Sequence, residues 1–562
     1  MSDQIEASAS EPARRKRQKP ARGLGAAALT VALICALPMV AVVLAALTGG
    51  TDTVAQLWQT VLPRYAGTTL LLVVLVSLGS FALGVGTAWL VTMTRFPGVR
   101  FFEVALVLPL AFPAYVLAYA YTHVLDHPGI VQSSLRAATG WGPRDYWFPE
   151  IRSVGGAALM LVLVLYPYVY LLTRAAFLQQ SGTTVLAARA LGSSSWSAFL
   201  KVSLPLARPA IAGGVLLAVM ETIADFGTVA YFGVQTFATG IYTSWFSMAD
   251  RAAAAQLSLC LLGFALLLAM LERAQRGGAK YYNSSRRQQP TQPEQLTGRR
   301  AVYAIVFCAL PVLCGAVLPV VILFSMGIGS GQDLLSERYR GFIQNSLTLA
   351  GVAAVLTVMA AIIVGYFQRL QPGKKAYGAA YVARLGYAVP GGVIAVGLLV
   401  PFAAFDNALD AFMEATFGIS TGLLLTGSIW LLVVAYMVRF LAAALGAYEG
   451  GQALVPANMD AAARSLGQTP SGTLRRIHLP IMAPSLLTAL LIVFVDVMKE
   501  LPATLIMRPF NYDTLAVQAH RLASDERLSG AAVPSLVIVA TGLLPVILIC
   551  RQVGRRAADR AA

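Results

Sequence analysis

Long apolar segments alternate with short polar ones along nearly the whole chain. An apolar segment of about 18 residues or more is long enough to cross the hydrocarbon core of a bilayer as an α-helix. Within the bilayer each segment has to satisfy its own backbone hydrogen bonds, which favours helices throughout. The pattern predicts twelve membrane-spanning helices, at residues 25–48, 67–93, 101–125, 153–172, 204–225, 255–271, 301–327, 344–366, 380–404, 422–442, 479–501 and 532–550.

Composition supports this class of protein. Hydrophobic residues make up 57% of the chain and charged residues only 12%, whereas about a quarter of the residues are charged in soluble domains. The net charge of +16 is concentrated in the N-terminal tail and in the connector 273–300. Both lie on the cytoplasmic side if the N-terminus does, together with the C-terminus, as the positive-inside bias predicts. The basic charge therefore indicates a surface that faces the membrane rather than nucleic acid.

Two polar segments interrupt the apolar pattern in the same way. LAARALGSSSWSAFLKVSLP at 186–205 and AAARSLGQTPSGTLRRIHLP at 461–480 align without a gap, at an offset of 275 residues. A constant offset over this length indicates an internal repeat. Because each half has six predicted spans, both segments lie on the same side of the membrane, so the repeat is parallel. The residues that match and carry the pattern are Ala187, Ala188, Arg189, Gly192 and Pro205 in the first half, and Ala462, Ala463, Arg464, Gly467 and Pro480 in the second.

Within each polar segment we expect a short helix that stops at or near the glycine, followed by a second short segment. A proline then begins the next span, where its missing N–H has no cost. Two such compact loops on one side suggest docking onto two copies of a soluble partner. The domain organisation predicted from this pattern is a basic tail 1–24, a first repeat 25–272, a flexible linker 273–300, a second repeat 301–551 and a basic tail 552–562.

Both polar segments resemble the coupling-loop motif of ATP-binding-cassette importer permeases, EAA-x3-G-x9-I-x-LP. The motif's leading glutamate is replaced by Leu186 and Ala461, with Asp460 one position earlier, and its isoleucine by Val202 in the first half. The ionic contact of that glutamate is therefore not carried over to this chain. The resemblance implies an all-α, polytopic membrane fold of two parallel six-helix repeats, with the matched residues coupling the permease to its ATPase.

Two further stretches, METIADFGTVAYFGVQTFATGIY (220–242) and DVMKELPATLIMRPFNYDTLAVQA (496–519), are similar to segments of fused twelve-span ferric-iron permeases. This similarity implies a bacterial inner-membrane subunit that moves Fe(III) supplied by a periplasmic binding protein. It also implies two separate ATPase subunits that bind ATP and magnesium. No GxxxxGK[ST] phosphate-binding motif occurs in the chain, so we expect no nucleotide cofactor on it and no catalytic residues.

Other transport classes stay open from the sequence. Thiamine, sulfate and polyamine permeases share the coupling motif and the architecture. A secondary transporter driven by an ion gradient shares the parallel duplication, but gives no reason for two matching cytoplasmic loops.

Acidic side chains recur at equivalent positions in the two halves. At the 275-residue offset, Glu221 corresponds to Asp496 and Asp225 to Glu500. The spacing of four residues predicts that each pair shares one helix face. Acids inside a membrane are costly and usually face a bundle interior or a water-filled path, and oxygen ligands suit a hard cation. We therefore expect the acids to line a substrate path. The alternatives are a hydrated periplasmic mouth and an ion pair between Glu500 and its neighbour Lys499.

The remaining candidate ligands form weaker patterns. Tyr115 and Tyr119 share a predicted helix face, although tyrosines in spans more often serve packing. His478 is expected to be a surface or interface residue of the second loop. The histidines and cysteines show no spacing typical of a metal site, so no metal ligand is assigned; they are His123, His127, His478, His520, Cys35, Cys260, Cys308, Cys314 and Cys550.

Overall fold

The long apolar segments form helices, with short helices and turns between them. The structure is a computed structural model that describes residues 22–143, 145–180, 192, 194, 197, 199–276, 293–333 and 336–559. In the first half the α-helices are α1 (Arg22–Thr48), α2 (Thr51–Thr60), α3 (Leu62–Met93), α4 (Val99–Ala105), α5 (Ala114–Leu125), α6 (Ile130–Thr139), α7 (Val154–Gln179), α8 (Leu204–Ala224), α9 (Gly227–Tyr231), α10 (Phe237–Tyr242) and α11 (Arg251–Arg276).

The second half repeats this order. Its α-helices are α12 (Arg299–Val312), α13 (Leu318–Ile328), α14 (Glu337–Leu370), α15 (Lys374–Leu385), α16 (Gly391–Phe417), α17 (Ile429–Gln452), α18 (Ala457–Ser465), α19 (Pro470–Thr473), α20 (Leu479–Met498), α21 (Pro502–Met507), α22 (Leu515–Ser524) and α23 (Leu528–Asp559). Five pairs of helices begin exactly at positions separated by the repeat offset of 275 residues: α3 and α14, α4 and α15, α7 and α17, α8 and α20, and α9 and α21.

Each half is built around three closely packed helices. We call α3, α7 and α8 the first core, and α14, α17 and α20 the second core, because the helices of each trio pack extensively on one another. The first membrane-spanning segment of each half packs on the other half. Helix α1 packs on α14, α15 and α16, while α13, which continues the segment that begins with α12, packs on α5. At this crossing a Cβ on Gly397 would collide with the backbone carbonyl of Pro38, so the glycine permits the close approach.

The described residues contain eleven helices that are long and apolar enough to cross a membrane, or twelve if one bent pair counts as a single span. The prediction of one straight span at 101–125 is wrong. The chain instead bends by 91° between Val99–Ala111 and Ala114–Thr139. Pro109 and Pro113 explain this break, because proline donates no backbone hydrogen bond and disfavours a helical conformation of the residue before it.

The equivalent prediction in the second half, a span at 380–404, is also interrupted. Helix α15 ends at Leu385 and α16 begins at Gly391, after a 3₁₀ turn at Gly386–Ala388 and Pro390. The apolar pattern of a span is insensitive to such breaks, since both sides of the break are equally hydrophobic.

The polar connector between the halves lies largely outside the described residues, which resume at residue 293. Its end pairs with the first half: β2 (Glu294–Gln295) runs parallel to β1 (Thr94–Arg95). Helix α11 extends to Arg276 and α23 to Asp559, beyond the predicted ends of the two repeats. The domain boundaries themselves stay a prediction.

Candidate functional site

The second polar loop forms the short helix that its sequence predicts. Helix α18 is followed by Gly467, which adopts a left-handed conformation with a φ of 76°. The N–H of Gly467 donates to the carbonyl of Arg464, and that of Gln468 donates to the carbonyl of Ala463. These two bonds are a Schellman motif, which ends a helix on a residue with positive φ. Glycine is favoured there because it has no Cβ to strain.

Asp460 fastens this loop to the second core. One carboxylate oxygen accepts a 2.8 Å hydrogen bond from Arg369 Nε, and the other lies 2.7 Å from His478 Nε2. His478 is fully buried, so the expectation of a surface histidine is wrong. Its partner Asp460 is 18 residues earlier in the sequence, and the sequence pattern alone does not reveal this pairing. Partial burial raises the pKa of Asp460, but the bonds from His478 and Arg369 outweigh this and hold it below its usual value.

The outer face of α18 is exposed. Ala462 and Arg464 are exposed, whereas Ala463 is buried. Leu466 is 79% exposed, an unusual environment for a large apolar side chain at a helix end. The alanines of the motif therefore divide into one that packs inward and one that remains available to a partner. Pro480 lies in the first turn of α20.

The first polar loop is described only in part. Ala187, Ala188 and Arg189 lie outside the described residues. Gly192 is exposed and has a φ of 86°, close to that of its counterpart Gly467. Pro205 lies in the first turn of α8, as Pro480 does in α20.

All four predicted acids line one cavity between the two cores. The residues around it come from both halves and include two cations. They are Leu110, Phe112, Pro113, Ala114, Tyr115, Leu161, Val164, Leu165, Tyr168, Glu221, Ala224, Asp225, Phe226, Gly227, Arg439, Phe440, Asp496, Lys499, Glu500, Leu501 and Pro502. A second, mainly apolar cavity adjoins it and shares Leu110, Tyr168, Asp496 and Lys499.

Asp225 and Glu500 are helix caps. Helices α8 and α20 end at Ala224 and Met498, before these acids, so the prediction that each acidic pair shares one helix face is wrong. Asp225 accepts bonds from the backbone N–H groups of Thr228 and Val229 at the start of α9. Glu500 accepts bonds from Ala503 and Thr504 at the start of α21 in the same way. Backbone donors at a helix N-terminus stabilise a carboxylate and end the preceding helix.

Glu221 and Asp496 have side-chain partners instead. Tyr387 donates a 3.2 Å hydrogen bond to Glu221, and Arg439 Nη2 lies 3.9 Å from the same carboxylate. Asp496 pairs with Lys499 at 2.9 Å. An ion pair with Lys499 does form, but its acid is Asp496, so the alternative that pairs Lys499 with Glu500 is wrong.

Sequence reasoning missed Arg439 and Tyr387. Arg439 is a solitary basic residue within an apolar span, and such a residue indicates an internal charge partner. Tyr387 had no comparable signal, because tyrosines are frequent in this chain and most of them pack.

The other candidate ligands are engaged elsewhere. Tyr115 donates to the backbone carbonyl of Lys499, and the Tyr119 hydroxyl lies 3.1 Å from His520 Nδ1. Among the residues that the structure describes, no three His, Cys, Asp or Glu side chains are grouped so as to hold a metal ion. The cavity is a charged junction between the two cores.

Comparison with known proteins agrees with this architecture. Residues 80–276 match the family described as binding-protein-dependent transport system inner membrane component. The Fe(3+)-transport system permease protein FbpB 2 of Haemophilus influenzae is 26% identical over 530 residues, which cover 93% of this chain and 96% of that protein. The ferric transport system permease protein FbpB of Actinobacillus pleuropneumoniae is 24% identical over 466 residues, 79% of this chain and 64% of that protein.

A shorter relative matches only part of the chain. The molybdenum transport system permease protein ModB of Escherichia coli K12 is 29% identical over 204 residues, 34% of this chain and 82% of that protein. The matched segment 80–276 belongs to the binding-protein-dependent family, and the second half repeats its helix order. The chain is a multi-pass inner-membrane protein that resembles this class of permease. Along nearly its full length it is similar to a permease named for Fe(3+) transport.

Proposed function

We propose that the chain is the transmembrane subunit of an ATP-driven importer that moves ferric iron from a periplasmic binding protein into the cytoplasm. We infer the substrate from the similarity, along nearly the whole chain, to a permease named for Fe(3+) transport. In this proposal two ATPase subunits bind ATP and magnesium on the cytoplasmic side, where both termini also lie. The molybdenum permease matches about one third of the chain and supports the class rather than the substrate.

The attachment of the second loop supports its role in coupling. Arg369, near the end of α14, donates to Asp460 and to the backbone carbonyl of Val455. The hydroxyl of Tyr366 on the same helix donates to the carbonyl of Pro470. These bonds connect both ends of the loop to the second core. A force applied to α18 by a partner would therefore move the core as a rigid body.

The space between the cores supports a central path. The apolar cavity that adjoins the charged one is lined by Leu217 on α8 and by Ile492 on α20, which are equivalent positions of the repeat. Four acids and two cations line the charged cavity. With two more acids than cations, this cavity favours a cationic cargo over an anion such as molybdate.

The central test is transport by the reconstituted complex. The chain would be co-expressed with its ATPase, placed in liposomes with ATP on the ATPase side, and given radioactive Fe(III) on its binding protein. We expect ATP-dependent uptake of iron and no uptake of molybdate or 2-aminoethylphosphonate. Uptake driven by an ion gradient in the absence of the ATPase would contradict the proposal and favour a secondary transporter.

The coupling surface offers a matched pair of variants. Leu466→Asp places a charge on the exposed end of α18, and we expect it to abolish co-purification with the ATPase. Leu423→Asp is the control, because Leu423 is also exposed but precedes α17, at the end opposite to the loop. Equal ATPase binding by the two variants would show that the second loop is not part of the interface with the ATPase.

The role of the acids in the path has its own test. The Glu221→Gln/Asp496→Asn double variant is measured for both iron uptake and ATPase activity. We expect uptake to fall while ATP hydrolysis continues. Unchanged uptake would show that the two carboxylates are not part of the path.

A further inference from the structure

Glu221 links the first core to the second half of the chain by charge. It projects from the last turn of α8 in the first core, and both of its side-chain partners belong to the second half. Arg439 is on α17, and Tyr387 is in the 3₁₀ turn Gly386–Ala388, which packs on α17. The strong packing of α8 is with α7 and α3, within its own core. The three side chains therefore bridge a cavity that otherwise separates the cores.

This bridge has no equivalent at the corresponding repeat position, Asp496. Asp496, the repeat counterpart of Glu221, pairs with Lys499 one turn further along the same segment and not with the first half. The positions equivalent to Arg439 and Tyr387 are Val164 and Phe112, which provide neither a charge nor a hydroxyl. Asp496 thus has no partners in the first half that correspond to those of Glu221.

Arg439 is fixed independently of Glu221. Its side chain is only 10% exposed, and Nη1 lies 3.7 Å from Glu500, whose carboxylate is itself held by the start of α21. Nη1 has no hydrogen-bond partner. A Cβ on Gly391 would collide with Arg439 and lie 2.6 Å from Glu500, so this glycine leaves room for the pair. The guanidinium stays with the second core when Glu221 moves away, and its charge remains partly neutralised.

We propose that Arg439 and Tyr387 hold Glu221 as a latch between the cores, and that this latch opens in every transport cycle. Helix α8 is about 30 Å long at 1.5 Å per residue, so the latch lies at the end of the bundle away from the coupling loops. It secures the cores at that end in the present conformation. That the latch opens during transport rests on the proposed function, whereas its effect on the position of the cores does not.

The distance between the cores tests the latch directly. In the full chain with its five cysteines replaced by alanine, spin labels would be placed at Gly155→Cys and Trp430→Cys and the permease embedded in lipid nanodiscs. These are equivalent repeat positions at the starts of α7 and α17, and both are exposed. Pulsed electron paramagnetic resonance then measures the distance between the labels.

Two conservative variants remove the latch. Glu221→Gln removes the charge, and Tyr387→Phe removes only the hydroxyl and copies the first half. We expect each to increase the population of the longer distance by roughly tenfold, as the loss of one buried charged hydrogen bond implies. Asp496→Asn is the matched control and should leave the distribution unchanged. Identical distributions in all variants, or an equal shift in the Asp496→Asn variant, would overturn the proposal.

ATP hydrolysis in the complete transporter provides the functional test. Without the latch, we expect hydrolysis in the absence of binding protein to rise several-fold for Glu221→Gln and Tyr387→Phe. A shift in distance without any change in hydrolysis would reject the claim that the latch opens during transport. Failure of the wild-type complex to transport iron would instead reject the proposed function, and the distance result would stand.

Discussion

The two halves of this permease share a backbone plan but differ in how they use charge. Helix caps are symmetric, because Asp225 and Glu500 each accept bonds from the start of the next short helix. The cations are not symmetric. Arg439 and Lys499 both belong to the second half, and their counterparts are Val164 and Ala224. The repeat therefore retains the acids that shape its backbone, while the charges that balance the cavity come from one half.

The two coupling loops differ in the same direction. The second is held by Asp460, Arg369, His478 and Tyr366. The equivalent positions in the first half are Val185, Thr94, Ser203 and Val91, which cannot form this network. There, aromatic packing of Phe199 against Trp89 and Phe177 lies next to the start of α8. The second loop is thus attached by charge, which predicts that its attachment responds to the loss of Asp460 and to pH.

The largest expected effect is on stability when Arg439 is neutralised. Arg439→Gln leaves two acids, Glu221 and the almost fully buried Glu500, without their shared cation. Removing one partner of a buried ion pair costs about 3–5 kcal/mol, so we expect a clear fall in the thermal unfolding temperature in detergent.

Lys499→Gln is the matched control for that change. It leaves only one acid, Asp496, without a cation, and this side chain is 19% exposed whereas that of Glu500 is 2% exposed, so the unfolding temperature of Lys499→Gln should fall less. If the two variants unfold at the same temperature, Arg439 and Lys499 contribute equally to stability, and the pairing of Arg439 with Glu221 and Glu500 is no more important than that of Lys499 with Asp496.

An intermediate effect is expected in the second coupling loop. Asp460→Ala leaves the guanidinium of Arg369 and the ring of His478 without their acceptor, which costs about 1–3 kcal/mol. Since the bonds attach the loop to the core, we expect less iron transported per ATP hydrolysed and faster hydrogen exchange across residues 457–478. Val185→Ala, at the equivalent position of the first half, has no charge to lose and should change neither measurement.

Acid should weaken the second loop selectively. The pKa of Asp460 is lower in the folded protein than in the unfolded chain, where it is about 3.9. Its contribution to stability is therefore complete above the unfolded pKa and is lost as the pH falls through the folded pKa. We expect wild type and Asp460→Asn to differ in hydrogen exchange at 457–478 near pH 6 and to converge below about pH 4. If the two proteins still differed in hydrogen exchange in strong acid, the effect of Asp460→Asn would come from the changed shape of the side chain and not from its lost charge.

Much of this fold follows from local patterns. Apolar length located the spans, and the glycine and proline positions located the ends of the short helix at 457–465 and the start of α20. The breaks within 101–125 and 380–404 were missed because hydrophobicity is the same on both sides of a break. The four acids could be found from the repeat, since equivalent positions of a parallel duplication face one axis.

The partners of those acids could not be found in that way. Arg439 and Tyr387 are far from Glu221 in sequence and have no counterpart in the other half, so neither repetition nor spacing connects them. The same holds for His478, whose burial depends on Asp460 across the loop. Features of the site that the two halves share can be predicted from the sequence. Features that occur in one half only are seen once the packing of the two cores is known.

The smallest effect should be shared equally by the two loops. Gly192 and Gly467 have φ values of 86° and 76°, and an added Cβ would meet no atom at either position. The cost of Gly192→Ala or Gly467→Ala is therefore that of the left-handed backbone alone, about 1 kcal/mol each. We expect the same modest loss of ATPase affinity in both single variants, measured by co-purification at graded salt. An unequal loss would mean that one loop contributes more than the other to the contact with the ATPase. The asymmetry of the charges would then extend to the coupling surface.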